Sequence, residues 1–537
     1  MKRKLLTALL CGALMLTSLA GCGQMAENQS DTNGASTGSE NAVKDELVFV
    51  NYRDIRDLNP HLYAGEMYAQ SILYDTLVSN TSEGYVGCLA EDWTISEDGR
   101  TYTFNIRDGV TFSDGTPCDA NAILANFNAI LENRERHTWL EMMNLLVGVS
   151  APDDDTFVIE MSEPYYPMLT ELACIRPFAM ISPNCMIDGS TKDGVNGYIG
   201  TGPYVLTDFV TDEYAVFERN ENYWGEKPAI QKITVKVIPD NQTRIMALEN
   251  GEIDLIFGKN MLDADAISQY VDSDKFTVGL SDPTSTRHIV LNTTHDILGD
   301  KSVRQALQHA TNRQAISEGI FYGLEPAADT LYSATVPDCD VGLEPYAYDM
   351  DEAARLLDEA GWTMGSDGIR TKDGQKLALD LLYNSDSVTE KTISEYLQSE
   401  YLKLGISLNI HGEEEQSYRD NMKAGNFDMV FNICWGMPYD PQSSLAAMRA
   451  PVYGDYAAQQ GLEDKAEIDQ AITDILTSTD EAERQELYTF VLTRLHEDAV
   501  YIPLTFETNK ALYTSDLKGV HFGTDQYDVD FASMYFE

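Results

Sequence analysis

Basic residues are scarce in this chain. It carries 37 Lys and Arg against 87 Asp and Glu over 537 residues, a formal charge of −50. That balance excludes a nucleic-acid footprint, because neutralising phosphates requires clustered Lys and Arg. Cysteines are also few: eight, with no C-x-x-C pair and no zinc-type spacing. After Cys22 they stand at 88, 118, 174, 185, 339 and 434, which is no disulfide framework for a chain this long. Buried free thiols are expected, with Cys174 and Cys185 the one pair close enough in sequence for a bridge. The His residues at 61, 137, 288, 295, 309, 411, 496 and 521 show no H-x-H or H-x₃-H spacing that would build a protein-only metal site. No G-x-S-x-G, H-E-x-x-H or G-x-x-x-x-G-K-[ST] occurs, and His496-Glu497 lacks a second His. The chain does not read as an enzyme, and a secreted hydrolase is the weakest reading. Beyond the first residues, nothing is apolar for the roughly 18 residues a membrane span needs.

What is present argues for a large folded body. Hydrophobic residues make up 43% of the chain and aromatics 10%, with 29 Tyr, enough for an extensive core. The length exceeds what a single core serves, so two or more lobes are expected. Lys2, Arg3 and Lys4 precede an apolar run from Leu5 to about Leu16, a charged region and hydrophobic region of signal-peptide proportions. Leu19-Ala20-Gly21-Cys22 resembles a bacterial lipobox. The resemblance implies cleavage after residue 21 and lipidation of Cys22, the only covalent addition expected. Two acyl chains anchor stably where one is marginal. Losing residues 1–21 removes three basic and no acidic residues, which deepens the negative charge. Residues 22–44, rich in Ser, Thr, Asn, Gly and Glu, read as a flexible tether.

From Glu46 onward strands and helices alternate, with no internal repeat. Trp93-Thr94-Ile95 and Thr101 to Ile106 flank Asp98-Gly99 and predict a hairpin. Ile123, Phe127, Ile130 and Leu131 share one face of a helix that follows Asp114-Gly115 and Pro117. A strand at 233–238, a helix from Asp240 to Asn250 stopped by Gly251, and a strand at 253–257 read as a βαβ unit. Asp349 with Glu352 caps another helix, which Gly361 closes. A strand at 379–383, a helix from about Thr389 to Leu404 and a strand at 406–410 follow. The class is α/β with mixed sheets.

Several ordered blocks carry a family resemblance. Cys88 to Trp93 runs through Ser96-Glu97-Asp98-Gly99-Arg100-Thr101-Tyr102-Thr103-Phe104 to Phe112-Ser113-Asp114-Gly115. Gly200-Thr201-Gly202-Pro203-Tyr204 is followed by Arg219-Asn220-Glu221-Asn222-Tyr223-Trp224-Gly225, and then by Ser302-Val303-Arg304-Gln305-Ala306-Leu307. Together they resemble the extracellular solute-binding proteins of peptide and nickel ABC importers, over about Glu46 to Phe536. Leu58 to Tyr63, Asn133 to Glu141, Glu171 to Phe178 and Trp435 to Pro441 are most similar to the nickel-binding branch.

The resemblance implies a two-lobe periplasmic-binding-protein-like fold of type II, in its large cluster C form, hinged on crossing strands. Residues 45–287 would form lobe I with an inserted subdomain, 288–504 lobe II, and 505–537 a return to lobe I. The crossings are expected near His288 to Asn292 and near Tyr501 to Thr505. The resemblance also implies a monomer outside the cell, anchored by lipid and facing the periplasm where an outer membrane exists. It would deliver its ligand to a permease that an ATPase powers.

The ligand implied is a Ni(II) chelate with histidine or another small carboxylate chelator. Guanidinium groups grip carboxylates bidentately, and flat chelates suit aromatic walls. By matching position, Arg136 and Arg176 are the carboxylate clamps, Trp139, Trp435 and Tyr439 the walls, and Tyr63 and Met67 further lining. Taken alone, Arg136 in an Asn-Arg-Glu-Arg run reads as a solvated face, whereas Arg176 in an apolar stretch needs a partner. The two loop aromatics also fit a plain core, and Met67 fits packing better than metal contact. Nickel-binding relatives often place a His ligand where this chain has Tyr453, and neutral Tyr is a poor nickel ligand. His137, beside the clamp, is the substitute candidate, though its place next to Arg136 on a helix argues that it points elsewhere. A peptide-binding protein is the alternative. That branch anchors the peptide amine on an Asp at the position of Pro438, which offers no carboxylate.

Overall fold

A ten-stranded mixed sheet organises the protein. The computed structural model describes residues 44–81, 84–259, 261–434, 441–451, 453–523 and 526–537. The expectations for Cys22, Trp435 and Tyr439, for the signal sequence and for the tether lie outside the described residues.

Across the sheet the strands run Tyr204–Val210, Tyr214–Arg219, Lys232–Val237, Glu46–Asn51, Leu255–Phe257, Tyr501–Thr514, Phe276–Leu291, Met429–Cys434, Ala378–Asn384 and Ser407–Glu413. Lys232–Val237, Glu46–Asn51 and Leu255–Phe257 are mutually parallel, as are Met429–Cys434, Ala378–Asn384 and Ser407–Glu413. The expected βαβ unit forms, with the strand at 46–51 inserted between its two strands. Asp240 caps its helix by accepting from Thr243 N, and Gly251 ends it at φ +73°. Asp349 likewise accepts from Asp351 N and Glu352 N at the start of Met350–Glu359.

The two longest strands, Phe276–Leu291 and Tyr501–Thr514, pair antiparallel along their whole length and join the two halves of the sheet. Leu255–Phe257 pairs with Ala511 to Tyr513 at one end, and Met429–Cys434 with Thr286 to Leu291 at the other. Register shifts fall between Leu280 and Ser285 and between Arg287 and His288 along this pair.

The two strands also carry buried charge. Glu507 is 2% exposed and forms short ion pairs with Lys259 and Arg287, and Ser285 donates to the same carboxylate. Burial alone would raise its pKa, but Arg287 and Lys259 outweigh it and hold the carboxyl well below the usual range. Glu325 accepts from Thr505 Oγ1 at 2.9 Å and pairs with Lys510 at 3.3 Å beside it.

Apolar cores lie on both sides. One gathers Leu47, Phe49, Phe217, Ile233 and Phe531, another Ile289, Leu307, Leu381, Leu397 and Ile502. A separate antiparallel sheet in the order 90–95, 101–106, 156–161, 146–150 carries the Asp98-Gly99 hairpin, with Gly99 at φ +68°. Tyr102, Phe104 and Ile106 alternate inward toward the helix Ala120–Glu132, which buries Ile123, Phe127 and Ile130. Asn126 on that helix is fully buried. Its side chain accepts from Ile181 N and donates to Ile181 O, tying this subdomain to the segment that follows Arg176. The six described cysteines are buried thiols outside any disulfide, Cys174 and Cys185 included.

Candidate functional site

Four of the expected site residues meet around Tyr63. The chain leaves the strand at 46–51, passes His61 to Tyr63, and enters the short helix Met67–Leu73. Tyr63 is half-buried there, and Met67 is half-buried at the first helical position. The second contribution is a tight turn, Arg134–His137, followed by Trp139 and the short helix Glu141–Leu145. Trp139 Nε1 donates to Tyr63 Oη at 2.7 Å, and Tyr63 Oη lies 2.6 Å from His137 Nδ1. The Arg136 guanidinium stands 5.7 Å from the centre of the Tyr63 ring, within cation–π range. Tyr63 meets His137 and Trp139 edge-on, at 5.5 and 6.2 Å between ring centres.

The titration states follow from these surroundings. Burial pushes the Tyr63 phenol up to about 12, against opposing pulls from the Trp139 hydrogen bond and the Arg136 and Arg176 charges. Tyr63 is therefore a neutral phenol, hydrogen-bonded to His137 Nδ1. Burial, with the Arg136 charge adding to it, lowers His137 to about 4, so the imidazole is neutral at physiological pH. His137 Nε2 is buried and has no hydrogen-bond partner among the described residues. No group of three or more His, Cys, Asp or Glu among the described residues is placed to hold a metal ion.

Arg176 approaches from the third segment. It is 8% exposed and departs from helical geometry within Ile175–Phe178, at φ −116° and ψ 124°. Its Nε donates to Gln70 Oε1 at 2.5 Å, and its Nη2 donates to the carbonyl of Gly65. Gln70 is fully buried and donates in turn to Asn59 O. An Arg in an apolar stretch does have partners, as its context in the sequence requires, and these two are neutral oxygens. Its positive charge opposes the rise of the Tyr63 pKa. Arg136 is exposed and forms no ion pair with a described carboxylate.

Tyr453 lies by the strand Met429–Cys434. It lines a cleft of about 310 Å³ with Glu390, Glu415, Tyr418, Arg419 and Asn432. Just beyond it, Asp455 accepts from Asn432 Nδ2 at 2.6 Å and sits 3.7 Å from His288 Nε2 on the long strand.

Sequence reasoning overlooked Gln70, the Gly65 carbonyl and Glu171. The Glu171 signal was available, since it is a lone acid in the apolar run Met168-Leu169-Thr170-Glu171-Leu172. Nothing local marks Gln70, because its partner is remote in sequence.

The bacterial extracellular solute-binding proteins, family 5, match this chain over residues 84–455. The chain belongs to that family. Its relatives include the nickel-binding periplasmic protein of Escherichia coli K12, 41% identical over 498 residues, which cover 92% of this chain and 95% of that protein. The dipeptide-binding protein of the same organism is 26% identical over 506 residues, 88% of this chain and 91% of that protein. The crystal structure of NikA from Brucella suis in complex with Fe(III)-EDTA matches with a TM-score of 0.89 and 43% identity, over 92% of this chain and 100% of that one. The fold is thus the two-lobe α/β fold of family 5 binding proteins. The described residues contain no helix long and apolar enough to cross a membrane.

Proposed function

We propose that this family 5 protein is the receptor of an ABC importer and captures a transition metal, nickel first among candidates, as a chelate with small carboxylate ligands such as histidine. The observation that carries the reading is the convergence of two guanidinium-bearing segments on a neutral Tyr–His–Trp cluster. Arg136 and Arg176 supply charge for the chelator's carboxylates. Tyr63 and Trp139 supply flat apolar surface, and Met67 is further lining in this reading. Trp435 and Tyr439 complete the walls in this reading, and Tyr453 closes from the other lobe. His137 serves as a neutral support for Tyr63, so the chelator rather than the protein fills the metal's coordination shell. The likeness to the Escherichia coli nickel-binding protein and to the Fe(III)-EDTA complex supports a chelated metal over a bare ion.

In the same proposal residues 45–287 with 505–537 form one lobe and 288–504 the other. They close on the ligand about the strands 276–291 and 501–514. The protein works as a monomer on the outer face of the cell membrane, anchored through Cys22, and hands its ligand to the permease and ATPase subunits. It binds without turnover.

Capture of a di- or oligopeptide is the second reading, favoured by the dipeptide-binding relative. Native mass spectrometry and calorimetry with nickel, cobalt and zinc, each with and without histidine, separate the two. Binding of a peptide and of no metal chelate would sink the first.

A further inference from the structure

The residues assigned above to the ligand sit on segments that are each only a turn or two long, so something must fix the distance between them. Trp139 and Arg136 stand on the stretch that ends in the helix Glu141–Leu145, whereas Arg176 follows the helix Met168–Leu172. One side chain joins the two. Glu171 is 9% exposed, and its Oε1 accepts from Glu141 N at 3.2 Å while its Oε2 accepts from Met142 N at 3.0 Å. These are amides of the first turn of the short helix, which its own backbone leaves without partners. Tyr165 Oη donates to Oε1 at 2.5 Å, and Tyr102 Oη donates to Tyr165 O at 3.1 Å. The carboxylate is therefore oriented from the separate sheet that bears Tyr102.

The far end of the same short helix is also held. Arg134 Nε donates to Met143 O at 2.6 Å, and its Nη2 donates to Leu146 O at 2.8 Å. Between these two grips the backbone of Trp139 has little freedom, although its ring is 41% exposed. Glu171 itself is five residues from Arg176 in the sequence and accepts from Cys174 N through its carbonyl at 3.0 Å. Displacing the first turn of Glu141–Leu145 by an ångström moves Arg136 and Trp139 relative to Arg176, and bidentate recognition of a carboxylate tolerates errors of only about half that size.

We propose that Glu171 is a positioning residue that sets the spacing between Arg136 with Trp139 and Arg176, and so determines preference for a chelate that carries a carboxylate. The inference rests on the site assignment of the proposed function. Glu171 touches no ligand in this scheme; it acts through the two amides it holds.

The test uses calorimetry on the full chain with two probes, Ni(II) with histidine and Ni(II) with histidinamide, whose carboxylate is replaced by an amide. Glu171→Ala is expected to weaken the histidine chelate about tenfold or more, as losing a charge-assisted hydrogen-bond set implies. It should change the histidinamide chelate by less than about threefold on the same scale. Glu171→Gln, which keeps an acceptor oxygen, should fall between wild type and Glu171→Ala. In an Arg136→Ala background, Glu171→Ala should cost little more, because the group it positions is gone. Equal loss on both probes, additive loss in that background, or no loss at all would overturn the positioning role. Wild-type protein that binds neither probe overturns the proposed function and this role with it, an outcome distinct from failure of the variant alone.

Discussion

Gln70 and the Gly65 carbonyl accept from the Arg176 guanidinium, which in the proposed site also grips a chelator carboxylate. Replacing Arg176 with Ala should weaken a carboxylate-bearing chelate by about 10- to 100-fold, the range for a lost hydrogen bond to a charged group. Arg176→Lys should not restore it, because a point charge cannot reproduce the fork geometry. Calorimetry checks both, and unchanged affinity removes the residue from the site. His61 offers a test of a different kind. It is fully buried between Thr191 Oγ1 at 2.9 Å and Ala179 O at 3.2 Å, and burial lowers its pKa to about 3. A lowered imidazole pKa means that the unfolded chain binds the extra proton first. Stability is then full above about pH 6.5 and falls as the pH drops toward 3, with His137 adding to the slope down to about 4. Urea midpoints measured across that window should drop, and His61→Gln should flatten the dependence; an unchanged slope contradicts this. At this scale Arg176 was legible because its apolar context demands a partner. Glu171 carried the same signal, but its partners, two backbone amides thirty residues upstream, leave no trace in the sequence. The unpartnered Nε2 of His137 was equally hidden, since its ring is placed by a Tyr more than seventy residues away.

Caps and turns were the most legible elements, because their chemistry is local. Asp349 caps its helix as the D-x-x-E pattern implies, and Asp98-Gly99 turns the hairpin with Gly99 at φ +68°. Asp349→Ala should lower stability by about 1 kcal/mol, seen in urea denaturation. Strand neighbours were less legible. The strands at 232–237 and 255–257 read as one βαβ unit, yet Glu46–Asn51 separates them, because periodicity records which face is buried and not which strand lies alongside. The crossing strands show the same limit. The family resemblance placed them near 288–292 and 501–505, but Ser285, Arg287 and Glu507 form a polar core on them that alternation alone does not foretell. Glu507→Gln leaves Lys259 and Arg287 without their main counter-charge in a buried place. It should cost roughly 3–5 kcal/mol, the penalty for breaking a buried ion pair from one side. A loss under 1 kcal/mol in the same denaturation assay would show that the network matters little to the junction.

The chain carries a formal charge of −50, and the proposed site would set two guanidinium groups beside aromatic side chains within it. That charge excluded nucleic acid at the outset and says nothing of the ligand, because screening limits its reach to about 8–10 Å in physiological salt. The two-lobe class was legible from ordered motifs spread across the chain, and the family match over residues 84–455 agrees with it. The ligand itself turns on a handful of side chains drawn from segments distant in sequence. Closure of the lobes on a ligand predicts a smaller radius of gyration in solution scattering once the chelate is added, and an unchanged radius argues against a closing hinge. The most direct test of the central claim is calorimetric titration of the purified protein with Ni(II) in the presence and absence of histidine. The account predicts tight, one-to-one binding that requires the chelator and weakens sharply in Arg176→Ala. Binding of a dipeptide with no response to any nickel chelate would contradict it.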